Sequence, residues 1–305
     1  MNKGDLFDTN NWGQIKILDF VKLNSKSKIL IEFINSKNKY IVFKSCILKG
    51  TIEDSIEKEK KRKEKRYFQK CCNDYLIIID KEKEYNHNKK EFYYKVKFDT
   101  QNYETFASFN DIQKGQVNNP YIVSVNNIGF IGEGKYSYSK NKDIHEKWSN
   151  ILGRCYNIKN LRYYCYGAKD IRVCNEWFNF QIFAKWYEEN SYIKKLSVDK
   201  DILANINHLE TKIYSPETCL LIPEELNCFL AGDNLNTGIE QRNNKFRAVC
   251  NRKYLGTYNT FQEAKQIYAK EKYTIWKELI NKYNLPNDLK EILLKYDFSW
   301  YWLNK

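Results

Sequence analysis

Two stretches of this chain repeat each other, and the repeat constrains the fold more tightly than composition does. Residues 29–52 align with residues 94–117 without a gap at an offset of 65. Phe33 falls on Phe98, Ile47 on Ile112, Lys49 and Gly50 on Lys114 and Gly115, and Ile52 on Val117. Upstream, residues 15–19 answer residues 76–80 after a four-residue slip. These runs are rich in Ile, Val, Phe and Tyr, with partial alternation at Lys95-Val96-Lys97-Phe98, so they are expected to be strands. Two copies are too few for a solenoid. The expectation is therefore a duplicated small, strongly twisted β-module, residues 1–56 and 73–120. Between the copies, residues 57–70 hold eight Lys/Arg and three Glu. That spacing predicts a charged linker or exposed helix over 57–72, with a phosphate backbone as the alternative neighbour.

Composition narrows the class. Hydrophobic residues make up 42% of the 305 and aromatic residues 16%, enough for a core and against global disorder. No run approaches the roughly 18 apolar residues of a membrane span. The opening residues lack an apolar signal core, so an intracellular, soluble chain is expected. Fifty-one Lys+Arg against 38 Asp+Glu give +13, a balance that suits a polyanionic partner through counterion release. An AT-rich genome would inflate Lys as well, so charge alone does not decide. The nine cysteines include no C-x-x-C pair. Free thiols are expected, and zinc on Cys155, Cys174 and Cys219 is not.

After Pro120 the character changes. Gly129, Gly132 and Gly134 form a loop signature but lack the Gly-Lys-Ser/Thr ending of a nucleotide-phosphate loop. Ile144, Trp148, Ile151, Leu152 and Cys155 recur at helical spacing, as do Trp177, Phe180, Phe183, Ala184 and Tyr187. Both stripes are expected to be core.

Within this middle unit an ordered series stands out. Trp148-Ser-Asn-Ile-Leu-Gly-Arg154-Cys155-Tyr156-Asn157 is followed by Tyr166-Gly-Ala-Lys-Asp-Ile-Arg-Val-Cys174-Asn-Glu-Trp177. Val198-Asp199-Lys200-Asp201 comes next, then Tyr214-Ser-Pro216-Glu217-Thr218-Cys219 and Glu225-Leu-Asn227. Over about residues 129–230 it resembles the HNH-nuclease-like group of phage and prophage proteins, whose fold is the ββα-metal finger. The resemblance implies a divalent metal, Mg2+ or Mn2+, stabilising charge on a phosphodiester while a base activates water. It places the metal-binding Asp on Asp199, at the end of a strand through Leu196 and Val198. The base position is Lys200, a departure, since a lysine suits phosphate as a point charge better than it suits proton abstraction. Thr218 stands where an Asn ligand would be, a second departure. Asp201 and Glu217 are nearby carboxylates able to complete a cation site. His208 and, less directly, His145 are the candidate substitutes for the base.

The last third carries a second series: Asn236-Thr-Gly238-Ile-Glu-Gln-Arg242-Asn-Asn-Lys245-Phe246-Arg247-Ala248, then Arg252-Lys253-Tyr-Leu255-Gly256-Thr-Tyr258, then Thr260, Phe261, Glu263, Ala264 and Ala269. It resembles the ethylene-response-factor (Apetala-type) DNA-binding domain of plants and phage homing endonucleases. Independently of that, Asn243-Asn244 signals a hairpin turn and Thr260 a helix N-cap. Phe246, Ala248 and Cys250 should face Ala264 and Tyr268, leaving Lys245, Arg247 and Val249 on the other face. A sheet of this kind enters the major groove. Arg242, Lys245, Arg247, Arg252 and Lys253 are thus the expected contacts to double-stranded DNA. Beyond it, Leu289, Ile292, Leu293 and Tyr296 predict an amphipathic helix, and the cluster around Trp300 and Trp302 is expected to pack back on the body.

The expected architecture is α+β and multidomain. It comprises duplicated small β-modules resembling Tudor barrels, an HNH-like centre over 121–233, a three-stranded sheet plus helix over 234–284, and a helical tail over 285–305. The resemblance implies a homing-type endonuclease acting on duplex DNA inside a phage-infected or prophage-carrying bacterium, with Asp199, Lys200 and His208 catalytic and Asp199, Asp201 and Thr218 on metal. The alternative is a non-catalytic, sequence-specific DNA-binding protein that keeps a degenerate HNH fold. A third possibility is an interaction module whose β-modules bind protein, their partner unspecified.

Overall fold

A computed structural model describes residues 1–79, 84–86, 91–209, 212–231 and 238–299. The chain is α+β and divides into two compact units, Met1–Asn119 and Pro120–Lys305. Among the described residues no helix is long and apolar enough to cross a membrane.

In the first unit β1 (Leu6–Thr9), β2 (Gly13–Leu23), β3 (Lys26–Phe33) and β4 (Lys39–Val42) form an antiparallel meander in that order, followed by the short helix α1 (Lys44–Leu48). After α2 (Ser55–Glu64) the pattern recurs. β5 (Arg66–Gln69), β6 (Asp74–Ile78), β8 (Glu91–Phe98) and β9 (Glu104–Ser108) pair in succession, and α3 (Phe109–Lys114) follows. The equivalence extends to register. Ile15 lies opposite Phe33 as Leu76 lies opposite Phe98, and Ile17 opposite Ile31 as Ile78 lies opposite Val96, all eight buried. Gly50 and Gly115 both adopt the left-handed conformation, with φ of 62° and 70°. Each carbonyl accepts a hydrogen bond from the turn after the copy's first strand, Asn10 N at 2.9 Å and Cys71 N at 3.3 Å. That close approach, together with positive φ, is why both copies keep glycine there. The slip arises in the hairpin between β6 and β8, which carries the extra strand β7 (Glu84–Asn86); the matching turn in the first copy is only Asn24-Ser25.

The charged stretch expected over 57–72 is only half helix. Asp54 caps α2 by accepting from Glu57 N, and none of the side chains in α2 is buried. The second half is strand β5, where Tyr67 and Gln69 point inward between exposed Arg66 and Phe68. The period-two alternation there outweighs the net charge, so the second module begins before residue 73.

The second unit is organised by α4 (Lys142–Tyr156), β10 (Arg172–Val173), α5 (Phe180–Asn190), β11 (Leu196–Asp199), α6 (Ile202–Ile206), β12 (Ile213–Tyr214), β13 (Leu220–Pro223) and α7 (Glu224–Ala231). The two aromatic stripes form one core, with Trp148, Trp177, Phe180 and Phe183 buried together and Trp148 Nε1 donating to the Trp177 carbonyl at 2.6 Å. The glycines of the 129–134 loop serve this packing, Gly129 lying against Trp148 and Leu152. Next come β14 (Ile239–Arg242), β15 (Lys245–Cys250), β16 (Lys253–Tyr258), the long α8 (Phe261–Lys282) and α9 (Asn287–Leu293). A second core joins Ile202, Ile222 and Leu226 to Trp276 and Ile280 of α8 and to Leu289 and Leu293 of α9. The end of α8 and the tail helix are thus packed on the middle region rather than forming separate pieces. The expected cluster at Trp300 and Trp302, the residues Asn236 and Thr237, and the 233/234 boundary lie outside the described residues.

Candidate nucleic-acid interface and the Asp199 site

The Asp199 site is a two-stranded antiparallel ladder, β11 with β13, that pairs Asp199 with Leu220 and leads into α7. Asp199 is 8% exposed. Its Oδ1 accepts from the backbone N–H groups of Asp201 and Ile202, both at 2.9 Å, closing the turn into α6. Burial, then the Asp201 carboxylate, push its pKa up to about 6, against those two amides and the Lys200 ammonium. Lys200 is 5% exposed, its Nζ donating to Asp201 Oδ1 and lying 5.8 Å from the centre of the Tyr214 ring. The Cys219 thiol is pushed up to about 12 by burial, and the Tyr214 hydroxyl is raised by burial as well.

The remaining expected site residues are placed differently. Thr218 is not at a helix start: it sits in the turn before β13, its Oγ1 donating to the Ile213 carbonyl at 2.7 Å and accepting from Ser215 N at 3.1 Å. Asp201 is exposed and engaged with Lys200. Glu217 lies in the same exposed turn as Thr218 rather than in a helix. His208 is exposed, just past α6, in the left-handed conformation with φ 55°. His145 stacks edge-on with Tyr138, Trp148 and Phe180 at ring distances of 5.0 to 5.3 Å, and burial lowers its pKa. All nine cysteines are free thiols.

The C-terminal sheet turns its chemistry the other way. Ile239, Ala248, Cys250, Ala264 and Tyr268 form its core, with Phe246 packed against them, as the alternation requires. Asn243 and Asn244, φ 46° and 59°, make the hairpin turn between β14 and β15. Thr260 caps α8 in a reciprocal pair with Glu263, a capping box. The register puts Arg242 directly opposite Lys245, and Glu240 and Thr257 on either side of Arg247. The Arg247 guanidinium lies 5.6 Å from the Tyr254 ring centre, and the Tyr254 hydroxyl is 2.9 Å from Thr257 Oγ1. Arg242 also holds Glu240 at 2.9 Å.

Two of the five expected DNA contacts sit elsewhere. Lys253 pairs with Cys250 across the ladder, hence on the inner face, and its Nζ holds Glu271 of α8 at 2.8 Å. Arg252 is in the tight turn between β15 and β16, exposed, with φ 67°. Tyr254 was missed by the sequence reading. Its signal is the Asn251-Arg252 turn, which sets the register, and the irregularity between Ala248 and Val249, which shifts the alternation.

No protein-family model, curated protein or solved structure matches the chain.

Proposed function

We propose that the chain is a duplex-DNA-binding protein whose HNH-like centre is a scaffold rather than a cleavage site. The observation that carries this reading is the outer face of the C-terminal sheet. Arg242 and Lys245 are direct cross-strand neighbours on a face whose one acid in β14, Glu240, is held by Arg242, so the face keeps a net positive charge that suits phosphate. Beside them the Arg247 guanidinium lies over the Tyr254 ring, within cation–π range at 5.6 Å from its centre, and a guanidinium on this face suits bidentate recognition of a base edge or phosphate. Three cations on one face of a sheet suit the major groove.

The scaffold reading of the centre rests on its donors. One oxygen of Asp199 is committed to two backbone amides, the Thr218 hydroxyl proton is given to a carbonyl, and Asp201 is matched by the Lys200 ammonium. A divalent cation at the remaining carboxylate oxygens would place a second positive charge beside the buried Lys200 ammonium, with the Thr218 hydroxyl already tied into its own turn. The residues present do not suit Mg2+ or Mn2+. The buried ammonium instead supplies the positive charge beside the two carboxylates.

Fluorescence anisotropy of a labelled duplex with the full chain tests the binding, over about 50–200 mM salt. Each phosphate contact contributes a slope of about −0.9 in log K against log salt, so three to five contacts give roughly −2.7 to −4.5. A slope near zero, or no binding at the lowest salt, would overturn the reading.

A further inference from the structure

The loop after α4 presents an unusual surface. Leu161, Ile158 and Tyr164 are 88%, 75% and 70% exposed, more than any other large hydrophobic side chain among the described residues. Single exposed apolar residues are ordinary. Three within seven residues, on a backbone that is held, call for a partner. The backbone is fixed by two successive side-chain turns, in which Asn157 Oδ1 accepts from Lys159 N at 3.0 Å and Asn160 Oδ1 accepts from Arg162 N at 2.9 Å. The Asn157 carbonyl accepts from Asn160 N and the Asn160 carbonyl from Tyr163 N, both at 2.9 Å. Asn157 Nδ2 ties the loop to Asn126 at 3.2 Å. The apolar side chains are held out by a built loop.

Charge identifies the partner. Residues 154–172 contain Arg154, Lys159, Arg162, Lys169 and Arg172 against the single acid Asp170, which is engaged by Arg172 at 2.6 Å. Apolar side chains standing among uncompensated cations match a polyanion with an apolar interior reachable between its charges, which is stacked duplex DNA. An anionic bilayer offers similar charge, but two aliphatic residues and a tyrosine are too little apolar surface for stable anchoring.

We propose that this loop is a second duplex-DNA contact. Ile158 and Leu161 enter the minor groove and wedge between base steps, while Lys159, Arg162 and Lys169 hold the flanking phosphates. Wedges of this kind partly unstack a step and kink the duplex by roughly 20–90°. The inference rests on the DNA-binding reading above and adds a site and a deformation that the terminal sheet does not require.

The test compares the full chain with Ile158→Ser/Leu161→Ser, on duplexes carrying 2-aminopurine and end-labelled for energy transfer. The exposed positions leave the thermal melt unchanged. The wild type is expected to raise 2-aminopurine fluorescence and shorten the end-to-end distance. The variant is expected to bind roughly tenfold more weakly and lose both signals. Lys159→Ala/Arg162→Ala should reduce the salt slope by about two while keeping the wedge. If the wild type binds no duplex, the DNA-binding reading falls and this proposal with it. If Lys245→Ala/Arg247→Ala weakens binding but the loop variant matches wild type in affinity and both signals, the wedge alone is overturned. A loop variant that binds DNA normally but loses binding to phosphatidylcholine–phosphatidylserine vesicles would assign the loop to membrane instead.

Discussion

The Asp199 turn and the C-terminal sheet are both built from short antiparallel strands and both carry clustered charge, yet they direct it oppositely. In the turn, Asp199 is spent on two backbone amides and Lys200 lies buried against Asp201, so the polar groups hold the fold together. In the sheet, the apolar alternates occupy the helix side while Arg242, Lys245 and Arg247 are on the other, with Arg247 ordered by an aromatic ring rather than by an acid on another element. The difference teaches where to look for binding: charge satisfied in the interior is structure, and the excess of cations over Glu240 on the exposed face is available to a partner.

The largest effect should come from Lys200→Met, which keeps most of the volume but removes the buried ammonium that pairs with the exposed Asp201 and lies beside the buried Asp199. A loss of about 2 kcal/mol in stability is expected, below the range for breaking a fully buried pair because Asp201 is solvated. DNA affinity of the folded protein should hardly change; a denaturant melt paired with anisotropy reads both. Lys245→Ala/Arg247→Ala should do the reverse, weakening duplex binding by about 2 kcal/mol with stability within about 0.5 kcal/mol. Equal stability losses in the two variants would break the comparison.

Asp199→Asn sharpens it through pH. Burial pushes the folded carboxyl up to about 6, from an ordinary 3.8, so the folded state binds the proton more tightly. Wild-type stability should therefore fall as pH rises from about 4 through 6 and stay reduced above. The amide, which still accepts from Asp201 and Ile202, avoids that loss. Urea midpoints should show the variant about 1–2 kcal/mol more stable at pH 8, less than the roughly 1.4 kcal/mol per pKa unit would allow because a neutral amide oxygen accepts from the two backbone N–H groups more weakly than a carboxylate, and equal to wild type near pH 3. A variant less stable than wild type at pH 8 would mean the charged carboxylate is required there. The smallest effect is Lys253→Ala, which removes an exposed pair with Glu271 and should leave the urea midpoint nearly unchanged, with a weaker effect on DNA than either outer-face cation.

Much of this was legible in the sequence where a period or a backbone constraint is local. The duplication was visible because Phe33 and Phe98, Ile47 and Ile112, and the left-handed Gly50 and Gly115 occupy matching positions. The sheet's inner face followed from simple alternation. What escaped depends on tertiary context. The strand at Arg66–Gln69 was hidden by its charge, since nothing local reports that Tyr67 and Gln69 meet a core. Burial of Lys200 follows from its neighbours across β13 and the Tyr214 ring, and the side of the sheet taken by Lys253 from a bulge and a two-residue turn. The turn that the Thr218 hydroxyl closes is likewise not legible in its motif, because it depends on the Ile213 carbonyl of β12.

Supercoiled plasmid incubated with the full chain and Mg2+ or Mn2+, with binding verified by gel retardation in the same samples, tests the central claim most directly. Retarded DNA that is released intact, for wild type and Asp199→Ala alike, is the result expected of a DNA-binding scaffold. Nicked or linear product that both EDTA and Asp199→Ala abolish would contradict it and make the Asp199 turn a metal-dependent active site.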